Sequence, residues 1–353
     1  TSSETIFAQF SKDIKQARAS GEAQTDVSAG NIDKALSSAS RVIERQYSVP
    51  YLAHACMEPM NAVAKVSEGR CEIWTGTQNP LGFKHDVAAA LEIDAENVSV
   101  HNHFMGGGFG RRAISDAVVQ AALIARKTGL TVKLIWSREE DTTHDHYRPA
   151  VASEFRATLD DKGRPTGWEN YYVDKHEPIE APLIPYAIEH QDIRYLDSPS
   201  HVPFGPWRSV DHSQHGFFTE SFIDELATEA NQDPYEFRKA LLVDHPRQLK
   251  VLNLAAEQAQ WGQPLPEGRG RGISLQTSFG SIVAEVIEVT VVDEHVKVDR
   301  VVVAIDPGFA VSPDGLKAQM ESGVIYGLTA ALYGEISIEQ GRVKQQNFDS
   351  YPM

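Results

Sequence analysis

Apolar and polar residues alternate along Arg41-Val-Ile-Glu-Arg-Gln-Tyr-Ser-Val49, a period of two that predicts a strand. Leu130–Trp136 reads as another strand, and Val63–Val66 with Cys71–Trp74 as a hairpin turning at Glu68-Gly69. Val151–Leu159 and Pro165–Val173 pair through Asp160-Asp-Lys-Gly163, and Ile282–Val292 and Val296–Ile305 are long β runs joined by Asp293-Glu294-His295. A last hairpin joins Ile336–Ile338 to Arg342–Phe348 around Gln340-Gly341. Helical spacing marks Glu4–Ala19, Lys84–Leu91, Asp116–Lys127, His215–Ala230 and Val251–Gln260. Two more helices carry start signals: Asn31 caps a short one, and Asp233 with Pro234 opens another that runs to Leu242. Pro313–Leu332 is a helix whose small residues, Gly323, Gly327, Ala330 and Ala331, suggest closely packed faces. Strands and helices mix without a strict βαβ rhythm, so the class is α+β rather than a doubly wound sheet.

A shift to Pro, Gly and Arg at Pro264–Gly272 suggests a boundary, with one domain over residues 1–262 and a second over 263–353. At 353 residues the chain has room for two cores. The net charge of 33 − 49 = −16 excludes a surface that neutralises nucleic-acid phosphates. No run approaches the roughly 18 uninterrupted apolar residues of a membrane span. Cys56 and Cys71 are spaced unlike zinc or iron–sulfur ligands, leaving a disulfide or, as the favoured reading, two buried thiols. The chain opens on Thr1, with no initiator Met or signal-like segment, and closes on Asn347–Met353 without a polar tail. Both ends therefore read as cut, and the chain as a piece of a longer polypeptide.

The chemistry gathers around Met105-Gly-Gly-Gly-Phe-Gly-Arg-Arg112, which lies between the β-like run Val98–Phe104 and the helix at Asp116. Glycines let the backbone take φ > 0 and approach a ligand closely. Successive N–H groups ahead of a helix suit an oxyanion, and two arginines add forked donors. The alternative is a tight turn with no ligand. Thr75-Gly-Thr-Gln-Asn-Pro80 is a polar loop at a strand end, and Val202-Pro-Phe-Gly-Pro-Trp-Arg-Ser-Val210 is rigid, aromatic and cationic. His54 and Glu58 sit in apolar company as satisfied polar core groups. Ser137-Arg-Glu-Glu-Asp141 suggests a metal site or an acid/base pair, with a salt-bridged turn favoured. His101 with His103, and His144 with His146, could ligate zinc, but no third ligand stands at a recognisable spacing.

Thr77-Gln-Asn-Pro80, Gly106-Gly-Gly-Phe-Gly-Arg111 and Pro206-Trp-Arg-Ser209, in that order, resemble the molybdenum-cofactor subunit of the xanthine oxidase family of molybdenum hydroxylases. Within it, the β-subunits of the isoquinoline 1-oxidoreductase branch are the nearer likeness, through Tyr51–Pro59, Ser137–Asp141, Tyr147-Arg-Pro149, Glu220–Leu226 and Leu332–Ile336. The resemblance implies two mixed α/β molybdopterin-binding domains, incomplete at both ends. It implies that Gln78 hydrogen-bonds an oxo ligand of molybdenum and that Gly107, Gly108, Phe109, Gly110 and Arg111 line the cofactor, with Trp207 and Arg208 opposite. The pterin dithiolene would hold the metal, so no side chain need ligate it. The cofactor would be molybdopterin, in its cytosine dinucleotide form, with [2Fe-2S] clusters on an iron–sulfur partner subunit and a cytochrome c as a further candidate partner. The implied activity is oxidation of an N-heteroaromatic or an aldehyde, with water as oxygen source, in a bacterial enzyme placed in the periplasm ahead of the cytoplasm.

Three departures stand out. The family's glutamate base lies in a Gly-Glu-Pro segment, and no Gly-Glu-Pro occurs in residues 1–353, so the base is expected outside this chain. A Gly-Gln-Gly turn expected upstream is also missing, and Val173–Tyr186 is short. Ala113 stands where purine-oxidising members carry a glutamate, which disfavours a purine. Two other classes compete: a cofactor-free scaffold within an electron-transfer complex, and a nucleotide-binding enzyme. The second lacks a Gly-Lys-Ser/Thr after the glycines.

Overall fold

The computed structural model describes residues 1–175, 180–293 and 295–353. Pro178, in the Pro-rich passage, and Glu294, in the joint between the two long β runs, lie outside the described residues.

In chain order the elements begin with α1 (Ser3–Ser20), β1 (Gln24–Ala29), α2 (Ile32–Ser38), β2 (Val42–Val49), β3 (Asn61–Ser67) and β4 (Arg70–Thr75). There follow α3 (Pro80–Leu91), β5 (Val98–Asn102), α4 (Asp116–Thr128), β6 (Val132–Ile135), α5 (Arg138–Thr143), β7 (Val151–Leu159), β8 (Pro165–Asp174) and β9 (His190–Asp197). The rest are α6 (His212–Glu229), α7 (Pro234–Leu241), α8 (Pro246–Gln258), β10 (Arg269–Ser278), β11 (Ser281–Val292), β12 (His295–Asp306), α9 (Pro313–Leu332), β13 (Ile338–Glu339) and β14 (Arg342–Val343).

A mixed five-stranded sheet, ordered β1-β9-β8-β7-β2, forms the centre. β7 and β8 are buried along almost their whole length, so both faces must be covered. Trp168, Tyr172 and Phe155 face Phe218, Phe222 and Leu226 of α6 in one apolar cluster. Tyr171 and Val173, on the opposite face, meet Phe10 and Ile14 of α1. A second sheet, β5-β4-β3-β6, packs α3 and α4 on one face through Ile73, Val87, Val118 and Ala121. The third, β10-β11-β12, lays Ile282, Ala284 and Val286 into the same cluster as Trp168 and Phe222. The Pro- and Gly-rich passage before β10 is thus a surface connection, and one core contains residues from both sides of it.

Local expectations hold where chemistry is local. Glu68 and Gly69 both take positive φ, +52° and +73°, as a two-residue hairpin turn requires. Asn31 and Asp233 cap their helices through the backbone N–H groups of Lys34 and of Tyr235 and Glu236. Three strands escape the pattern. β1 is polar and largely exposed, β9 lies parallel to β8, and β10 starts among glycines and arginines. α9 differs from expectation more sharply: none of its residues is buried. A Cβ on Gly327 would meet nothing within 4 Å, because that small-residue face borders open space instead of a packed neighbour. Cys56 and Cys71 are free, buried thiols. Among the described residues no helix is long and apolar enough to cross a membrane.

A buried charged group joins the sheets. Glu220 of α6 accepts from Arg238 Nε at 2.9 Å, from Tyr186 Oη at 2.8 Å and from the Leu275 N–H of β10 at 2.8 Å. Burial raises the Glu220 carboxyl, with Arg238 working against it. Arg238→Ala would leave that carboxylate without its cation, at a cost of about 3–5 kcal/mol. Urea titration of Arg238→Ala and of the Glu220→Gln/Arg238→Met double variant checks this, and the double variant should lose less.

Candidate functional site

β4 and β5 run parallel, pairing Cys71 with Val98 through to Thr75 with Asn102. The loops that follow them therefore leave the sheet at the same edge, the common location of ligand sites in parallel sheets. One loop carries Gln78 and the other the glycines. Asn102 locks them together, its side chain accepting from the Thr77 N–H at 2.9 Å and donating to the Thr77 carbonyl at 3.1 Å. The Arg112 carbonyl accepts from the Gln78 N–H at 3.0 Å and from Thr77 Oγ1 at 2.9 Å. Gln78 Oε1 then accepts from the Gly110 N–H at 3.0 Å. Among the described residues, the N–H groups of Gly107, Gly108 and Phe109 meet no acceptor.

The glycine conformations are required by the space. Gly110 has φ +106°, and a Cβ there would fall 1.3 Å from the Pro206 carbonyl oxygen. A Cβ on Gly108 would fall 2.5 Å from Gln78 Oε1. Phe109, though it has a side chain, is held at φ +53°. Its ring stacks on Tyr326 of α9 at 4.6 Å between centroids, and Trp207 stacks on Tyr326 at the same separation. Arg208 lies 5.8 Å from the Tyr326 ring and donates to Ser322 Oγ at 2.8 Å and Gln319 Oε1 at 3.0 Å. Gln78, Gly107, Gly108, Phe109, Gly110, Trp207 and Arg208 are thus brought together from three loops against one helix, with Gly108 and Trp207 buried among them.

Arg111 is the exception. The guanidinium is 1 % exposed and turned inward, bound to Asp116 at 2.7 and 3.0 Å. Its Nε lies 2.9 Å from Asp145 Oδ1 without the alignment of a hydrogen bond. Arg112 is buried as well and braces the loop from beneath, donating to the carbonyls of Gly107 and Glu58 and to Glu58 Oε2. The forked donors expected for a ligand are spent on the fold, since a buried guanidinium must find internal acceptors.

Under the glycines lies a buried polar cluster that the sequence did not announce as one. His54 Nδ1 sits 3.0 Å from Asp145 Oδ1, and the His54 N–H donates to Asp145 Oδ2 at 2.6 Å. Burial works to raise the Asp145 carboxyl, and His54 and then Arg111 outweigh it, so it lies below its ordinary value. Asp141 goes the other way: burial, with the Asp145 charge, pushes it up to about 6 against Arg111 and Arg138. Burial pushes the Cys56 thiol up to about 12. For Glu58 burial is outweighed by the Gly106 N–H, Asn61 and Arg112, and its carboxyl is lowered. His54 is a satisfied core group, as the apolar context suggested, whereas Glu58, paired with Arg112 and the Gly106 N–H, keeps its side chain 40% exposed and lies outside the core. The acids after Ser137 open α5, with Ser137 capping through the Glu140 N–H. Among the described residues no group of three His, Cys, Asp or Glu is placed to hold a metal ion. Asp145, Gln319, Ser322 and Tyr326 were not picked out by sequence. The one available signal was Tyr326 itself, the only aromatic residue of α9 and set among small residues.

Comparison with known proteins gives this surface a context. A family model described as a molybdopterin cofactor-binding domain matches residues 14–242, and a second of the same description matches residues 219–353. The beta subunit of isoquinoline 1-oxidoreductase from Brevundimonas diminuta is 32% identical, over 85% of this chain and 42% of the relative. A nicotinate dehydrogenase subunit of Pseudomonas putida is 28% identical, over 94% of this chain and 31% of the relative. The chain therefore spans less than half the length of these relatives. Two solved structures share the fold. Quinoline 2-oxidoreductase from Pseudomonas putida 86 has a TM-score of 0.60 at 21% identity, covering 71% of this chain and 37% of its own. Aldehyde oxidoreductase from Desulfovibrio gigas has 0.59 at 21%, covering 71% and 31%.

Two outcomes follow from the geometry. Gly110→Ala combines a left-handed φ with a backbone collision and should destabilise by at least about 3 kcal/mol, read by denaturant midpoint. For Asp141, a folded-state pKa above the ordinary 3.8 means that its stabilising contribution is complete at low pH and is lost as pH rises through about 6. The stability of Asp141→Asn relative to the wild type should therefore climb by on the order of 1–3 kcal/mol between pH 4 and pH 7 and level off above. A flat difference across that range contradicts the assignment.

Proposed function

This chain belongs to the molybdopterin cofactor-binding domain family, and we propose that it forms part of the catalytic subunit of a molybdenum hydroxylase. The reading rests on one observation: the Gln78 carboxamide, the amides of Gly107–Phe109 and the Trp207-Arg208 pair border one surface, brought there from three separate loops. That surface fits a pterin-borne metal. It offers backbone donors without acceptors beside an exposed carboxamide and a guanidinium, while the metal-holding sulfurs would come from the pterin. When bound, such a group supplies two-electron oxidation with oxygen drawn from water. The protein's part is to orient and polarise. Gln78, already fixed through Gly110, keeps its amide Nε2 available to donate to a metal oxygen ligand, and Arg208, held by Gln319 and Ser322, adds positive charge.

The substrate class we favour is an N-heteroaromatic or an aldehyde, in keeping with Ala113 beside the loop and with the names of the relatives. The general base would lie outside residues 1–353. Electrons would leave to an iron–sulfur partner subunit carrying [2Fe-2S] clusters, with a cytochrome c as a further candidate, and the cofactor would be the cytosine dinucleotide form. Met57 and Phe104, exposed beside the Gly106–Glu58 pairing, are apolar surface that such a partner would cover. We place the division between the two domains near residue 262, where the chain passes from one sheet to the next within a shared core, and the enzyme in the periplasm, with which an acidic, cysteine-poor chain is compatible.

In the full-length enzyme, Gln78→Ala should lower kcat by about 10²–10³-fold, the scale of losing one donor to developing charge, with the protein still folded. Arg208→Ala should lower molybdenum content. Metal analysis alongside turnover separates the two effects, and normal values in both variants would overturn both roles.

A further inference from the structure

Arg148 is 5 % exposed, and among the described residues no carboxylate lies within ion-pair distance of it. Its Nη2 donates to the Pro50 carbonyl at 2.7 Å, while its buried Nε has no acceptor among the described residues. A guanidinium in that position is costly to desolvate, and the cost is offset in part by the Trp207 ring 5.8 Å away and by the Asp174 and Asp211 charges, which lie beyond ion-pair distance. Burial pushes it down to about 10, so it remains a cation at neutral pH.

This cation borders a cavity of about 530 Å³. Trp207, Tyr326 and Phe217 contribute aromatic rings to its walls, and the small-residue face of α9 at Gly323, Gly327 and Ala330 leaves room between them. Arg208 also borders it and, among the described residues, is likewise without a carboxylate partner, donating only to neutral oxygens. Ser48, Ser209 and Ser213 add hydroxyl groups, and among the described residues no acidic one lines the space. In a chain with 49 acids against 33 bases, a hole walled by two arginines and no carboxylate is a selective place for negative charge. A forked guanidinium beside aromatic faces matches a planar carboxylate better than a spherical ion. Mostly apolar walls with a few convergent polar groups are the usual make-up of a small-molecule site.

We propose that this cavity binds the carboxylate of a flat aromatic acid, with Arg148 as its counter-ion. The cavity shares Trp207, Arg208 and Tyr326 with the surface assigned to the cofactor, whereas Arg148 has no part in that reading, so variants of Arg148 test the two separately.

Calorimetric titration of the full-length protein with benzoate, with its neutral counterpart benzamide and with inorganic phosphate tests it. Benzoate should bind at least tenfold more tightly than benzamide and should raise the melting temperature. Arg148→Met should abolish that preference. Arg148→Lys, which keeps the charge but not the fork, should retain part of the preference and decides the matter if the Met variant does not fold. Equal binding of benzoate and benzamide, or an unchanged preference in Arg148→Met, overturns the proposal. Arg148-dependent binding of phosphate without benzoate overturns it in favour of a phosphoryl ligand.

Discussion

The contact between Gly110 and the Pro206 carbonyl holds the site together. The two backbones meet where any Cβ would intrude, so the glycine loop and the Trp207-Arg208 loop share one position in space. The same carbonyl lies 3.4 Å from His54 Nε2, and His54 is held in turn by Asp145, which Arg111 neutralises. A fully buried charged cluster is a costly foundation that repays its desolvation only while every member is present. It joins the two loops to one buried foundation through the Pro206 carbonyl and His54.

Above that foundation the arrangement follows from strand direction. Because β4 and β5 are parallel, Gln78 and the glycines leave the sheet side by side, and Asn102 ties their backbones into one unit. Had the strands been antiparallel, the two loops would lie at opposite ends. The loop conformation also explains the chain's expenditure on arginine. Arg112 draws the carbonyls of Gly107, Glu58 and Pro59 inward, which turns the amides between Gly107 and Phe109 outward.

α9 closes the surface with a single aromatic residue. Tyr326 stacks on both Phe109 and Trp207, and its hydroxyl donates to the His54 carbonyl, so one helix reports on both loops and on the cluster beneath. Its other small-residue face is left open beside Arg148 and Arg208, where the charge balance of an otherwise acidic protein is locally reversed.

Much of this was legible in the sequence because its causes are local. Helix caps at Asn31 and Asp233, the Glu68-Gly69 turn, the long β runs near residues 282–305 and the glycine-rich bend each depend on a few neighbouring residues. The resemblance to molybdenum hydroxylases rested on short segments of the same kind, and the family assignment agrees with it. Other features had no local cause. β1 and β9 are strands because the central sheet offers them an edge. Arg111 is buried because Asp116 and Asp145 wait beneath it, and α9 is open because no described element covers it. The sequence alone determined which segments could bend, cap and pair, since those preferences belong to a residue and its neighbours. Only the tertiary structure decided which arginines face inward, which amides meet no acceptor and which buried arginine, among the described residues, has no carboxylate within ion-pair distance, because burial and charge pairing depend on groups far apart in the chain.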